Sequence, residues 1–146
     1  APVALEPETF ASRTRYDALN RPIQLIAPHS DWPGARVAVV QPMYNEANLL
    51  EQLHVWLDEV AEPANRLDPA TATLRPVADI DYNARSQRTL MAYGNGVTTA
   101  YEYDPLTFRL RRLLTRRDAA AFSDDCPTPP PAGWPGSPPR GPVAAS

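Results

Sequence analysis

The sequence predicts an all-β fold in which consecutive antiparallel β-hairpins form a curved strip of sheet, followed by a disordered Pro-rich C-terminal tail. Two observations predict it: a tyrosine–Asx pattern that occurs four times, and an Asn-Gly pair between two strand-like segments. A recurring turn signal defines an architecture because each copy reverses the chain between extended segments. The four copies start at Tyr16-Asp17, Tyr44-Asn45, Tyr82-Asn83 and Tyr103-Asp104, with spacings of 28, 38 and 21 residues.

Each copy has the chemistry of a tight chain reversal. The Asp or Asn side chain can accept a hydrogen bond from the backbone N–H two residues further on, which forms an Asx-turn. Asn20 and Asn48 lie where a left-handed residue would close the turn, and Asn suits that conformation. Pro105 suits the first central position of a type I turn. The tyrosines are expected to end the incoming strands and to stack as cross-strand neighbours.

The segments between the turns alternate in the manner of strands. Strand-like residues lie at 23–27, 37–41, 89–93 and 97–103, and residues 108–114 could form the next strand. Asn95-Gly96 is the strongest short-range hairpin signal, because both residues accept positive φ. The segment from Tyr93 to Tyr103 is therefore predicted to be a hairpin.

Residues 49–60 fit two patterns. One is a helical stripe that includes Trp56 and ends at Val60, and the other is a strand with Leu53, Val55 and Leu57 on one face. Periodicity alone favours the helix slightly. The repeat context favours a strand over residues 50–57, because the other tyrosine–Asx turns also lead into extended segments.

The prediction divides the chain into three parts. Residues 1–12 are a leader or part of a preceding strand, residues 13–118 are the repeat region, and residues 119–146 are the tail. Within the repeat region, residues 58–76 carry three prolines and are predicted to be an inserted loop with one short helical turn. Of the 18 prolines, eight lie between Pro127 and Pro142, where too little apolar surface remains to offset the entropy of ordering.

The composition excludes several classes of protein. A net charge of −3 indicates neither a nucleic-acid binder nor an acidic tail protein. The single cysteine, Cys126, excludes an internal disulfide and a zinc site built from cysteines. The sequence has no apolar run that could span a membrane and no signal peptide at its start. Because it does not begin with Met, we expect it to be a piece of a longer protein.

Candidate reactive groups each have a plain structural explanation. His29 and His54 lie 25 residues apart without a carboxylate at ligand spacing, so no metal site is expected. Asp79 and Asp81 would face the same side of a strand, as paired catalytic carboxylates sometimes do, yet polar residues are common where a strand enters a turn. Cys126 has no helix N-terminus or basic partner that would activate a thiolate.

Five arginines form the most concentrated charge in the chain. They could contact phosphates, with Tyr101, Tyr103 and Phe108 as stacking partners, but we interpret them as the solvated face of an edge strand. They are Arg109, Arg111, Arg112, Arg116 and Arg117.

The repeated motif resembles that of the Rhs, or YD-repeat, proteins, and is most similar to the C component of insecticidal toxin complexes. The family motif is Tyr-Asp-x-x-Gly-Arg followed by an apolar residue, and the most similar copy here runs from Tyr16 to Ile23. The resemblance covers roughly residues 13–118 and includes the Asn-Gly hairpin between the last two copies. The family glycine is replaced in the four copies by Asn20, Asn48, Ser86 and Thr107.

The resemblance implies a structural function without catalysis. In the family, such strips spiral into a hollow shell that encloses a C-terminal toxin or effector. The implied partners are the remaining shell and toxin cargo of a longer parent and a B-type toxin-complex component, with no nucleic acid and no membrane span. A full-length parent would be secreted or at the cell surface. The family's Asp-Pro-x-Gly core and its aspartate pair for self-cleavage are absent from this sequence, so no catalytic residue, cofactor or metal is carried over.

The residues expected to matter are those of the turns, which would set strand register and sheet curvature. They are Tyr16, Asp17, Asn20, Tyr44, Asn45, Asn48, Tyr82, Asn83, Asn95, Gly96, Tyr103 and Asp104. Two alternatives stay open. One is a module that binds carbohydrate or another cell-envelope component through exposed tyrosines. The other is a truncated fragment without an independent function, whose unpaired sheet edges would favour self-association.

Overall fold

The computed structural model describes residues 7–117, so the expected disordered tail, residues 119–146, lies outside the described residues. The described part is all-β, as predicted, and includes one short 3-10 turn at Pro69–Thr71. Its strands are β1 Phe10–Tyr16, β2 Pro22–Ser30, β3 Val37–Tyr44, β4 Leu50–Glu59, β5 Leu74–Tyr82, β6 Arg88–Tyr93, β7 Val97–Tyr103 and β8 Leu110–Arg117. Strand β1 thus begins within the segment 1–12 that the sequence assigned to a leader or a preceding strand.

The strands pair in the order in which they occur in the sequence. Each neighbouring pair is hydrogen-bonded, and the pairs with a defined register are antiparallel. The chain divides into two compact units between Val77 and Ala78, which lie within β5. The first unit contains β1–β4 with the start of β5, and the second contains the rest of β5 with β6–β8.

The apolar core of the first unit lies on one face of β2, β3 and β4. Ile26 pairs with Val39 and Val39 pairs with Trp56, so the three side chains form a row across the sheet. All three are at most 2% exposed, and Val37 completes the cluster. Full burial of a large apolar side chain stabilises a fold by roughly 1.5–3 kcal/mol. This row therefore contributes much of the stability of the unit.

A row of polar side chains runs beside the apolar row on the same face. Gln24, Gln41 and His54 lie two residues along each strand from the apolar row, and they are 0%, 0% and 1% exposed. Gln41 is the cross-strand partner of His54. The Nε2 of Gln24 donates to Oε1 of Gln41 at 2.9 Å. Buried polar groups are costly unless they are hydrogen-bonded, so the partners of this row matter for stability.

Residues 60–73, called here the covering loop, fold over both rows. Gln41 makes two hydrogen bonds to the backbone of Leu67: its Oε1 accepts from the N–H at 2.8 Å and its Nε2 donates to the carbonyl at 3.0 Å. The Nε2 of Gln24 also donates to the carbonyl of Asn65 at 3.1 Å. Strands β4 and β5 extend into both ends of the segment 58–76 that the sequence predicts to be an inserted loop, and residues 60–73 between them are the layer that buries the core.

Two further contacts attach the covering loop to the sheet. The guanidinium of Arg15 on β1 donates to the carbonyls of Ala64 and Pro63 at 2.7 and 3.0 Å. At the other end of the loop, Nε1 of Trp56 donates to Oγ1 of Thr71 at 2.9 Å. The loop is thus hydrogen-bonded to β1, β2, β3 and β4.

The ambiguous segment 49–60 is a strand, as the repeat context predicted. Alternation places His54 and Trp56 under the covering loop and puts Leu53, Val55 and Leu57 on the opposite face. Strand β4 pairs with β3 on one side and with β5 on the other. Pairing with two neighbours is a long-range contribution that local periodicity does not contain.

The second unit contains the predicted Asn-Gly hairpin, with a different turn from the one expected. Strands β6 and β7 pair through Leu90 with Ala100, and the loop between them has three residues, Gly94 to Gly96. Only Gly96 is left-handed, with φ 80°, and its N–H donates to the carbonyl of Tyr93 at 3.1 Å. This is the arrangement of a type I turn followed by a left-handed residue. Asn95 therefore does not adopt the positive φ that the sequence suggested.

Candidate functional site

The four tyrosine–Asx motifs form the connections from odd-numbered to even-numbered strands. Turn 1 (residues 17–21) joins β1 to β2, turn 2 (45–49) joins β3 to β4, turn 3 (83–87) joins β5 to β6, and turn 4 (104–109) joins β7 to β8. Because neighbouring strands are antiparallel, turns 1 and 2 lie at the same end of the strands of the first unit. Turns 3 and 4 likewise share one end of the strands of the second unit.

The first three turns share one hydrogen-bond pattern centred on the Asx residue. Its N–H donates to the carbonyl four positions on, and its carbonyl accepts from the N–H three positions on, at 2.9–3.0 Å. Its Oδ1 accepts from the N–H groups two and four positions on, at 2.9–3.1 Å. The side chain thereby satisfies amides that a sharp reversal would otherwise leave unpaired. The three Asx residues are Asp17, Asn45 and Asn83.

The residue three positions after the Asx residue is left-handed in each of these turns. The φ angle is 58° at Asn20, 64° at Asn48 and 60° at Ser86. Asn20 and Asn48 have the conformation expected from the sequence. A non-glycine residue in this region costs roughly 1–2 kcal/mol, and Asn offsets part of the cost by local hydrogen bonding. Ser86 is the less suitable choice of the three.

Turn 4 is one residue longer than the motif predicts. The motif assigns Thr107 to the left-handed position, but Phe108 occupies it, with φ 58°. The Oδ1 of Asp104 accepts from the N–H groups of Leu106 and Thr107 and from the Thr107 hydroxyl at 2.7–3.0 Å. The side chain closes the turn one residue earlier than in the other copies, and an extra residue follows. Phe108 is therefore not part of the last strand, which begins at Leu110.

The residue four positions after the Asx residue binds back to it in two of the turns. In turn 1 the guanidinium of Arg21 binds Oδ2 of Asp17 at 2.6 and 2.8 Å. In turn 3 the Nδ2 of Asn83 donates to Oε1 of Gln87 at 3.0 Å. An ion pair in one copy is thus replaced by a neutral amide pair in the other. The turn tolerates both kinds of pair, because each joins the side chain of the Asx residue to the side chain four positions on.

The same residue also binds the left-handed residue of the following turn. The Nη1 of Arg21 donates to Oδ1 of Asn48 at 2.8 Å, and its guanidinium lies 4.6 Å from the centroid of the Tyr44 ring. In the second unit the Nε2 of Gln87 donates to the carbonyl of Phe108 at 2.8 Å. Turn 1 is therefore linked to turn 2, and turn 3 is linked to turn 4.

Tyr16, which ends β1, Tyr44, which ends β3, and Tyr103, which ends β7, do not pair with another tyrosine on a neighbouring strand, contrary to the sequence prediction. Their cross-strand partners, where the register is defined, are Pro22 for Tyr16, Leu50 for Tyr44 and Leu110 for Tyr103. The Tyr44 hydroxyl donates to the carbonyl of Pro22 at 2.9 Å. These three tyrosines thus close their strand ends against apolar neighbours.

Hydrogen bonding holds the carboxyl groups of Asp17 and Asp104 in their charged form. The backbone N–H of Arg21, and then its side chain, lower the pKa of Asp17 below the ordinary 3.8. The backbone and hydroxyl of Thr107 lower the pKa of Asp104 in the same way. Burial raises the pKa of Tyr82 above 10.0. These groups therefore keep their charge states near neutral pH.

The other polar candidates lie outside the four turns. Asp79 is half-buried while Asp81 is exposed. Burial, and then the charge of Asp81, raise the pKa of Asp79 above 3.8. The Nε2 of His29 lies 3.4 Å from Oε1 of Glu62, whereas His54 is buried beneath the covering loop. Within residues 7–117 no three His, Cys, Asp or Glu side chains are grouped so that they could hold a metal ion.

The arginines near the end of the described chain lie in and beside β8, which pairs with β7. Arg112 is the cross-strand partner of Glu102, and the charge of Arg111 acts on Asp104.

Cys126 lies outside the described residues. In the described part of the chain, no helix has the length and hydropathy needed to cross a bilayer.

Several solved structures contain a segment with the fold of this chain, although the sequence matches no protein-family model and no curated protein. One is the Tc holotoxin pore of Photorhabdus luminescens with a mutation in TccC3, at a TM-score of 0.57 and 22% identity over 75% of this chain and 4% of that chain. Another is the TcdB2–TccC3 structure, at a TM-score of 0.57 and 20% identity, with 76% of this chain and 4% of that chain covered. A third is the TcdB2–TccC3–Cdc42 structure, at a TM-score of 0.57 and 20% identity, with 77% of this chain and 4% of that chain covered.

The chain therefore has the fold of a segment found in Tc toxin structures, and it spans about 4% of the length of the chains it matches. The comparison agrees with the toxin-complex resemblance noted in the sequence.

Sequence reasoning missed the buried polar row of Gln24, Gln41 and His54. A signal was present for the two glutamines, because Gln24 and Gln41 interrupt apolar runs in β2 and β3. Polar residues at core positions indicate a specific partner, and here the partner of the two glutamines is the backbone of the covering loop.

Proposed function

We propose that this chain is a non-catalytic wall segment of a shell of the Rhs or toxin-complex type, which encloses a C-terminal toxin or effector. The observation that carries the proposal is the double contact made by Arg21 and Gln87. Each closes its own turn and also binds the left-handed residue of the following turn. A supersecondary unit that contacts its successor in this way can be repeated along a chain, and a wall is such a repetition.

The fold likeness to Tc toxin structures supports the same proposal. The partners would be the remaining YD-repeat shell, the toxin cargo of a longer parent, and a B-type toxin-complex component. The parent would be secreted or at the cell surface. Because this chain has about 4% of the length of the Tc toxin chains, it would supply only a small part of such a wall.

The face of the first unit opposite the covering loop suits contact with other protein. Leu25, Val40, Val55 and Leu74 pair in succession across β2–β5 and form an apolar row on that face. Leu74 is 49% exposed. A contiguous apolar surface of this kind is typical of a site that contacts another polypeptide. We assign this face to the interior of the shell.

The chemistry of the turn residues supports a role without catalysis. Both turn carboxylates, Asp17 and Asp104, accept several hydrogen bonds from their own turns, and these bonds lower their affinity for a proton. A general acid or base needs the opposite, a proton affinity matched to neutral pH.

Electron cryomicroscopy of the native polypeptide that contains this chain tests the proposal. The expected result is a hollow particle in which residues 7–117 lie in a wall of consecutive hairpins. Density for residues 7–117 outside the wall of the particle, or a particle without a lumen, would overturn the proposal. A glycan array on the same protein addresses the carbohydrate-binding alternative. We expect no specific binding, because Arg21 covers the Tyr44 ring, so Tyr16, which is 56% exposed in the neighbouring motif, does not share a free aromatic surface with it.

A further inference from the structure

The covering loop closes over a histidine whose ring nitrogens lack hydrogen-bond partners. His54 is 1% exposed, and neither Nδ1 nor Nε2 has a partner among residues 7–117. Its ring centroid lies 6.2 Å from that of Trp56, and its cross-strand partner is the uncharged Gln41. An imidazolium would bring two N–H donors and a full charge into this site, at a far greater cost than the neutral ring.

The charges that act on His54 also oppose its protonation. Arg66 on the covering loop and Arg75 near the start of β5 are both positive. Burial, followed by Arg75 and Arg66, holds the pKa of His54 below its ordinary value of 6.5. Arg66 donates to the sulfur of Met43 at 3.0 Å, an acceptor without charge. The closed loop therefore selects the neutral imidazole.

We propose that the covering loop is a pH-sensitive cover, which leaves the face of β2–β4 in mildly acidic solution because protonated His54 cannot stay beneath it. The hydrogen bonds that would break on opening join the loop to Gln24, Gln41 and Trp56. Those side chains would then face solvent. This inference does not depend on the proposed shell function.

The direction of the effect follows from proton binding in the two states. Above pH 6.5 the ring is neutral in both states, so closure is unaffected. Below it, the open state takes up a proton while the closed state does not, and the closed population falls relative to the open one. The change is about tenfold per pH unit until the closed-state pKa is reached. At pH 5 the ratio would have shifted by up to roughly 30-fold.

The other ionisable groups at the covering loop have separable effects. Glu62 binds Arg13 at 2.8 Å and lies 3.4 Å from Nε2 of His29, which the control variant His29→Gln addresses separately. Asp68 accepts from the N–H of Ala70 at 3.0 Å. Carboxyl groups ordinarily titrate near pH 4. A test confined to about pH 5–7.5 therefore isolates the imidazoles.

Amide hydrogen exchange on the full chain tests the proposal. The reporter is the N–H of Leu67, which donates to Gln41 in the closed state. After correction for the intrinsic rate, its exchange should rise about tenfold per pH unit below pH 6.5 in the wild type. In His54→Gln it should be independent of pH, and in the matched control His29→Gln the dependence should remain. A flat wild-type profile, or an unchanged slope in His54→Gln, would overturn the proposal.

A direct titration covers the case in which His54→Gln does not fold. The ring proton signals of His54 in the wild type, followed by NMR, should show a pKa below 6.5, and Leu67 should lose protection in the same range. A midpoint at 6.5 or above would contradict the proposal even if the loop opened in acid.

Discussion

Replacing Gln41 with leucine removes the side chain through which β3 holds the covering loop. Three hydrogen bonds are lost, two to the backbone of Leu67 and one from Gln24, at 2.8–3.0 Å. Each contributes about 1 kcal/mol, and leucine cannot satisfy the groups left behind. The added apolar burial returns about 1 kcal/mol. We therefore expect Gln41→Leu to lower the free energy of unfolding by about 2 kcal/mol.

Urea unfolding followed by the fluorescence of Trp56 measures the change, with Trp32 and Trp134 replaced by phenylalanine in every protein compared. Trp56 is a suitable reporter because its indole N–H donates to Thr71 of the covering loop. The matched control is Gln52→Leu on β4, the same chemical change at a half-buried position, expected to stay within about 0.5 kcal/mol of the wild type. Equal effects of Gln41→Leu and Gln52→Leu would refute the reasoning.

Three further changes test the turns and the second unit, each by urea unfolding. Ser86→Gly should raise stability by about 0.5 kcal/mol, since relief at φ 60° exceeds the entropy cost of glycine, and a loss would contradict this. Gly96→Val should destabilise the last hairpin, because a β-branched residue resists φ 80°. An unchanged urea midpoint together with unchanged hydrogen exchange across β6 and β7 would count against this expectation. Asp79→Asn should stabilise at pH 7, because a raised pKa means that the folded state disfavours the charged carboxylate. That advantage should shrink as the pH falls through the raised pKa, and a constant difference would refute the assignment.

The turns and strands could be predicted because their determinants are local. Asp17, Asn45 and Asn83 each bond to amides within four residues, so the short sequence around them contains the whole interaction. Side-chain chemistry alone predicts the left-handed conformation of Asn20 and Asn48. The strand at 50–57 needed the additional context of the repeat, because periodicity by itself slightly favoured a helix.

The features that escaped prediction depend on distant residues or on one extra residue. The covering loop is held by Gln24 and Gln41, which lie up to 41 residues away from it in sequence. Phe108 takes the left-handed position because Asp104 closes its turn through Thr107, a detail that the motif does not contain. Contrary to the sequence prediction, Tyr16 and Tyr44 are not cross-strand neighbours, because they end β1 and β3 and β2 lies between those strands.

The measurement that tests the account most directly is residue-resolved hydrogen exchange at the four turns. The N–H groups of Asp17, Asn45, Asn83 and Asp104 donate across their turns at 2.9–3.0 Å. We expect all four to be protected by a factor on the order of 100 or more relative to an unstructured peptide. The N–H of Glu46, for which residues 7–117 provide no such bond, should exchange fast. Exchange of all four at the rate of Glu46 would contradict the account.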